Sequence, residues 1–158
     1  MYPDSASQNR YDEDIYNWTK AQIAYLQTRE FESLDIKNLI EELEDMGKST
    51  LRELESRLMI LLAHLLKWQF QFNKLAEQWQ AFEGKSWRNT IIEQRAQILF
   101  LLKKVPSLKA KIADAVEEAY PEAVALASKE SGIAVATFPL RCPYTLDQLL
   151  DEDFFPQL

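Results

Sequence analysis

Leu58-Met59-Ile60-Leu61-Leu62-Ala63-His64-Leu65-Leu66-Lys67-Trp68 is the longest apolar run of the chain and carries its single histidine. Apolar residues keep the same phase on both sides, back through Leu54, Leu51 and Leu43 and on to Phe72, at the steps of three and four that one helix face requires. This stripe predicts one long helix from Asp35 to about Phe72, bent near Gly47. Asp35 can cap its start. Thr50 and Glu53 have capping-box spacing and offer a restart, yet the apolar phase passes Gly47 unbroken. The run from Leu58 to Leu66 falls well short of the roughly 20 residues that cross a bilayer, so no membrane span is expected.

Working outward, Tyr11, Ile15, Trp18, Gln22, Tyr25 and Leu26 recur at helical spacing and predict a first helix to about Arg29. Residues 73 to 85 contain Gly84 and the isolated aromatics Trp79 and Phe82, and read as a connection with one helical turn at most. Ser86 can cap a helix whose stripe is Trp87, Ile91, Ile98, Leu101, Leu102 and Val105, and Pro106 ends it. Another helix follows from about Ser107 to Tyr120. Pro121 suits the first position of a further one, running to about Ser131 with Gly132 as its stop. The last 26 residues, with three prolines, read as extended loop around a short helix that Thr145 and Gln148 can cap. Short links between amphipathic helices predict an all-α, antiparallel bundle of about four main helices with a loop-rich C-terminal tail.

The chain has 158 residues, enough for one domain that buries roughly two-thirds of its unfolded surface. A polar arm over residues 1–10 and a single bundle domain over 11–156 are the expected division. Three glycines are too few for a hairpin-rich β protein or for phosphate-cradling loops. One histidine and one cysteine exclude zinc sites of the His/Cys type and any intrachain disulfide. Cys142, between Arg141 and Pro143, reads as a small loop side chain. The residues after Met1 hold no apolar signal core, which points to the cytoplasm. Net charge is −7 and the sequence pI about 4.8, adverse to nucleic acid as a partner. Lys103, Lys104, Lys109 and Lys111 form a local exception, explained by solvated lysines at helix ends.

The candidate polar cluster comprises Glu41, Glu44, Arg57, His64, Lys67, Trp68, Trp87, Arg88 and Arg95. Arg57, His64, Trp68 and Gln71 share one stripe beside the leucine seam, where an imidazole needs partners for both nitrogens. The acidic run Glu41, Glu42, Glu44 and Asp45, and the helix carrying Arg88, Glu93 and Arg95, can supply them. The simpler reading is a hydrogen-bond network that fixes helix register; the alternative is a functional pocket with a perturbed histidine. Glu41 and Glu44 lie at i and i+3, but the Glu-x-x-His elements of di-metal bundles are absent, since residue 61 is leucine. No metal and no cofactor are expected. The acidic tail with Phe154 and Phe155 either docks onto the bundle or engages a partner's groove.

Tyr11-Asp12-Glu13-Asp14 with Trp18, the run from Asn38 to Gly47, His64-Leu-Leu-Lys-Trp68, Ser86-Trp87-Arg88-Asn-Thr-Ile91 and Cys142-Pro-Tyr-Thr-Leu146 together resemble a bacterial, largely cyanobacterial family. It is catalogued as domain of unknown function twenty-nine. The resemblance spans residues 11 to 156, with a connection before Ser86 longer than is usual. It implies a small all-helical protein and singles out Glu41, Glu44, His64, Lys67, Trp68, Trp87 and Arg88 as motif residues, but it transfers no reaction. The expectation is a cytoplasmic protein-binding or regulatory module, acting on a protein partner or as a homodimer. An enzyme with a pocket around His64, Trp87 and Arg88 is the alternative, and a nucleic-acid-associated factor the second.

Overall fold

Asp14 accepts a hydrogen bond from the backbone N–H of Asn17 at 3.1 Å and so opens the first long helix, α1 (Ile15–Thr28). The computed structural model describes residues 10–78 and 84–158. The arm read over residues 1–10 therefore lies, all but Arg10, outside the described residues. Residues 10–13 form a helical turn of their own, so the expected first helix is divided at Asp14. Arg29 ends α1 in the left-handed region, φ 61°, and the N–H groups of Arg29 and Glu30 bond back to the carbonyls of Leu26 and Tyr25. That is the paired closure usually made with glycine.

A 3₁₀ turn (Phe31–Ser33) leads to Asp35, whose Oδ1 accepts from the N–H of Asn38 at 3.3 Å and caps α2 (Ile36–Gln78). The helix runs unbroken through Gly47 and the Thr50 restart signal. It also continues six residues past Phe72, where the sequence predicted a connection. Trp68, Phe72, Leu75 and Ala76 are half-buried at steps of four, three and one, so the helical phase still has apolar surface to cover. The remainder of that predicted connection, residues 79–83, lies outside the described residues.

Gly84, not Ser86, precedes α3 (Lys85–Lys104). Its φ is +62°, and a Cβ placed there would meet Phe72 Cε2 at 2.2 Å and Trp68 Cζ3 at 3.2 Å. Left-handed geometry and an aromatic lid therefore decide the helix start here, ahead of any capping hydroxyl. Pro106 ends α3 as expected, but the segment after it (Pro106–Lys111) is 3₁₀ before α4 (Ile112–Ser131) begins. Pro121 sits inside α4 and does not start a new helix. Val116, Ala119, Tyr120, Ala123, Val124 and Ala127 are buried in one phase across it. Their burial outweighs the roughly 3 kcal/mol that an interior proline costs. Gly132, φ 73°, closes α4. Thr145 and Gln148 form the expected capping box on α5 (Leu146–Leu150).

The fold is an all-α bundle with four long helices, and no strand occurs among the described residues. Among them no helix is long and apolar enough to cross a membrane. The chain falls into two compact units, one ending at Ser49 and the other starting at Thr50. Within the second unit the predicted seam is fully buried: Leu54, Leu58, Leu61 and Leu65 are at 0% exposure, joined by Ile91 and Ile98 of α3 and by the α4 face. Within the first unit the prediction fails in part. Trp18 and Gln22 are buried, but Ile15 and Leu26 of the expected stripe are exposed, as are Ile36, Ile40, Leu43 and Met46.

Candidate functional site

In the second unit, position 64 faces the edge of the leucine seam. His64 Nδ1 lies 2.9 Å from the carbonyl of Ile60, which can only accept, so Nδ1 carries the proton and Nε2 presents a lone pair. Lys67 Nζ, one turn on, stands 3.5 Å from that Nε2. Burial pulls the His64 pKa below its ordinary value, with the Lys67 cation acting in the same direction and the Ile60 carbonyl and Glu130 opposing. The imidazole is thus a neutral acceptor at neutral pH. Lys67 is itself buried and donates to Glu130 Oε2 from the last turn of α4, while its ammonium sits 5.2 Å over the Trp87 ring. A buried ammonium with a carboxylate, an imidazole and an aromatic face around it has its charge answered. Gln71 Nε2 extends the chain of contacts to the Ser131 carbonyl at 3.4 Å.

A second group surrounds Phe155. Trp68 packs on it at 5.0 Å, and the guanidinium carbons of Arg88 and Arg95 lie 5.5 and 6.0 Å from its ring centroid. Arg95 is only 1% exposed. It donates to three carbonyls around α5, from Nε to Leu149 at 2.8 Å, from Nη1 to Glu152 at 3.4 Å and from Nη2 to Gln148 at 3.5 Å. Burial lowers its pKa, with Asp151 and Glu152 opposing. Carbonyls freed at a helix C-terminus carry partial negative charge, so the guanidinium is a peg between α3 and the C-terminal loop. A shallow cavity of about 390 Å³ opens beside it, lined by Arg88, Ile92, Arg95, Glu152, Asp153 and Phe155. Its two guanidiniums are matched by two carboxylates, which leaves little net field for an anion. Cys142 is half-buried, its thiol pushed up by burial and hydrogen-bonded at 3.6 Å to the Tyr144 carbonyl, and so is a poor nucleophile.

In the first unit a polar knot takes the place of an apolar core. Asp35 Oδ2 accepts from Trp18 Nε1 at 3.0 Å and from Asn38 Nδ2 at 2.7 Å, and the Asp35 N–H donates to Gln22 Oε1 at 2.8 Å. Tyr11 donates its hydroxyl to Glu42 Oε1 at 2.6 Å and packs edge-on against Trp18 at 4.9 Å. The Glu42 carboxylate, holding the phenol proton, pushes the Tyr11 pKa up to about 12. Outside this knot, nine of the fourteen exposed large apolar side chains of the described residues belong to α1, α2 and their link before residue 50.

A family model for a domain of unknown function, DUF29, matches residues 10–155, nearly the whole chain. The chain belongs to this family. No curated protein and no solved structure matches it. The DUF29 match therefore supplies membership and extent, and the chemistry has to be read from the residues.

Of the residues expected to cluster in this DUF29 chain, His64, Lys67 and Trp87 come together, as do Trp68, Arg88 and Arg95 through Phe155. Arg57 does not join them: it bonds Glu53 on its own helix at 3.0 Å. Glu41 and Glu44 belong to the first unit, where Glu44 pairs with Lys48 at 3.7 Å. Among the described residues no group of three or more His, Cys, Asp or Glu side chains could hold a metal. Sequence reasoning missed Glu130, 63 residues from Lys67 and without any local signal, and it missed Asp35 as a buried acceptor beyond its capping role. Phe155 was legible only as an aromatic in an acidic tail. It docks, with Phe154 against Tyr144 at 6.0 Å.

Proposed function

We propose that this chain is a protein-binding module whose docking surface is the outer face of its N-terminal helical pair. The observation that carries the reading is the concentration of exposed apolar side chains there, nine among forty described residues. Single exposed apolar residues are ordinary, but a contiguous patch of them marks an interaction site. The polar knot supports the same reading. Trp18, Gln22, Asp35 and Asn38 join the two helices by hydrogen bonds, so the apolar positions outside the knot are not consumed by the pairing itself.

The enzyme reading, with a pocket around His64, Trp87 and Arg88, draws less support. Both ring nitrogens of His64 are engaged, Lys67 is spent on Glu130, and Arg95 is saturated by carbonyls. A nucleic-acid role has the acidic balance against it. The test is the double variant Ile40→Ser with Leu43→Ser. The docking reading expects unchanged helicity and melting temperature, loss of Nile red binding, and loss of complementation in cells deleted for the protein. A stability loss of core size, about 2 to 5 kcal/mol per leucine, or full complementation, overturns it.

A further inference from the structure

The cavity of about 390 Å³ beside Phe155 has two walls of different origin. One is a stripe of α3, where Arg88, Ile92, Arg95 and Ala96 follow at steps of four, three and one along a single helix face. The other is the turn after α5. There the N–H of Phe154 returns to the Asp151 carbonyl at 3.2 Å and the N–H of Asp153 donates to Asp151 Oδ1 at 2.9 Å, so Glu152 and Asp153 stand at the tip. Arg95 Nη1, bonded to the Glu152 carbonyl at 3.4 Å, holds that tip against α3. Both walls are therefore placed without using the side chains of Arg88, Glu152 or Asp153.

Those three charges line one cavity and do not meet across it. Among the described residues the ion pairs are Lys48–Glu44, Arg57–Glu53 and Lys67–Glu130, and none joins Arg88 to Glu152 or Asp153. The hydrogen bonds of Glu152 and Asp153 are made by their backbone. Arg88 rests on the Phe155 ring at 5.5 Å, and a guanidinium stacked on a ring keeps its in-plane N–H fork for a carboxylate. Arg95, committed to three carbonyls, contributes charge alone. Between these charges Ile92 is 45% exposed and Ala96 is exposed beside it. The cavity offers a free cation at one wall, two free carboxylates at the other and an apolar strip.

We infer that this cavity binds a small zwitterion of the amino-acid type, a free α-amino acid or a short peptide with an aliphatic side chain. Its carboxylate takes the Arg88 fork, its ammonium meets Glu152 and Asp153, and its side chain covers Ile92, Ala96 and Phe155. A simple anion is opposed by the two carboxylates and a simple cation by the two guanidiniums, whereas a dipole set along the field is favoured by both. Size agrees with a small ligand, since about 390 Å³ lies near the lower end of the roughly 300–1,000 Å³ usual for such sites. The site belongs wholly to the second unit and is independent of the docking surface before residue 50.

Titration calorimetry of the full chain with L-leucine and with leucyl-leucine tests this, against two leucine analogues that each lack one charge. These are 4-methylpentanoate, without the ammonium, and 3-methylbutylamine, without the carboxylate. At least one zwitterion is expected to bind about tenfold or more tightly than both analogues, or 1.4 kcal/mol. Whichever of leucine and the dipeptide binds more tightly identifies the source as free amino acid or peptide. Arg88→Gln should weaken the zwitterion about tenfold and leave 3-methylbutylamine unmoved. Glu152→Gln with Asp153→Asn should weaken it as much while 4-methylpentanoate binds no worse. All three side chains are exposed, so helicity and melting temperature should not change. Hydrogen exchange at Asp153 and Phe154 should slow on binding, because the ligand ties their turn to α3. Equal binding of the zwitterions and 4-methylpentanoate, or of the zwitterions and 3-methylbutylamine, makes this a site for a single charge and overturns the inference. Saturable binding that neither Arg88→Gln nor the double variant weakens puts the ligand elsewhere and also overturns it. So does the absence of binding by both zwitterions at millimolar concentration.

Discussion

His64 and Arg95 are polar side chains in a leucine-rich unit, and each is held by partners that suit one charge state. The His64 tautomer is set by the Ile60 carbonyl, and its neutral form is favoured by burial and by Lys67. A pKa lowered on folding means that the unfolded chain takes up the proton first as pH falls. The stabilising contribution is therefore complete above the ordinary value of 6.5 and is lost as pH drops from there through the lowered folded value. His64→Gln removes this titration, so its urea stability between pH 7 and 5 should fall less steeply than that of the parent; parallel slopes would contradict the assignment. At pH 7 the cost of that variant should sit near 1 kcal/mol, because Lys67 keeps Glu130 when the imidazole is removed. Arg95 is the more demanding position. Arg95→Ala strands three carbonyls and opens a cavity, for an expected loss of about 2 to 4 kcal/mol. Arg95→Lys keeps the charge but cannot fork to Leu149, Gln148 and Glu152 together, and should fall between parent and alanine variant. A silent Arg95→Ala in chemical denaturation would remove the peg from the account.

At the scale of elements, the long helix and its caps were legible because each carried a local signal: Asp35 before Ile36, Gly132 after Ser131, Thr145 three residues before Gln148. What periodicity cannot specify is which neighbour covers a face. Ile36, Ile40 and Leu43 repeat as regularly as Leu54, Leu58 and Leu61, yet the first set is exposed and the second is at 0%. The candidate cluster divides for the same reason. Trp68, Trp87 and Arg88 carried motif signals, whereas the Lys67–Glu130 pair depends on α4 folding back across 63 residues. Pro121 shows a local rule losing to packing, and that conflict has a measurable consequence. Pro121 is exposed, so Pro121→Ala should restore an N–H donor toward Glu117 without disturbing the buried face. Relief of about 3 kcal/mol of interior-proline cost, less the 0.4 to 1 kcal/mol that proline saves in the unfolded chain, predicts a net gain of about 2 to 2.6 kcal/mol. The urea midpoint should rise with an unchanged slope. A lowered midpoint would show that the proline fits a local geometry that alanine does not.

Across the molecule, the two units are held together internally by different forces. The second unit holds twenty-three buried apolar side chains among the described residues, and its stability is that of a packed core. Among its described residues the first has one, Trp18, and relies on hydrogen bonds among Trp18, Gln22, Asp35 and Asn38 with Tyr11 to Glu42. Net hydrogen-bond contributions run near 1 kcal/mol each, against 1.5 to 3 kcal/mol for a buried leucine. The first unit should therefore open at lower free energy than the second, which also fits a surface that gains its apolar cover from a partner. Native-state hydrogen exchange checks this directly. Amides of α1 and of α2 before Ser49 should exchange through a local opening that is nearly independent of denaturant, whereas amides from Leu54 to Leu66 should exchange only through global unfolding. Trp18→Phe removes the Nε1 donor to Asp35 and should speed exchange in α1 while leaving Leu54 to Leu66 unmoved. Equal protection in both segments, or a Trp18→Phe effect that spreads to the second unit, would show that the polar knot does not set the stability of the first.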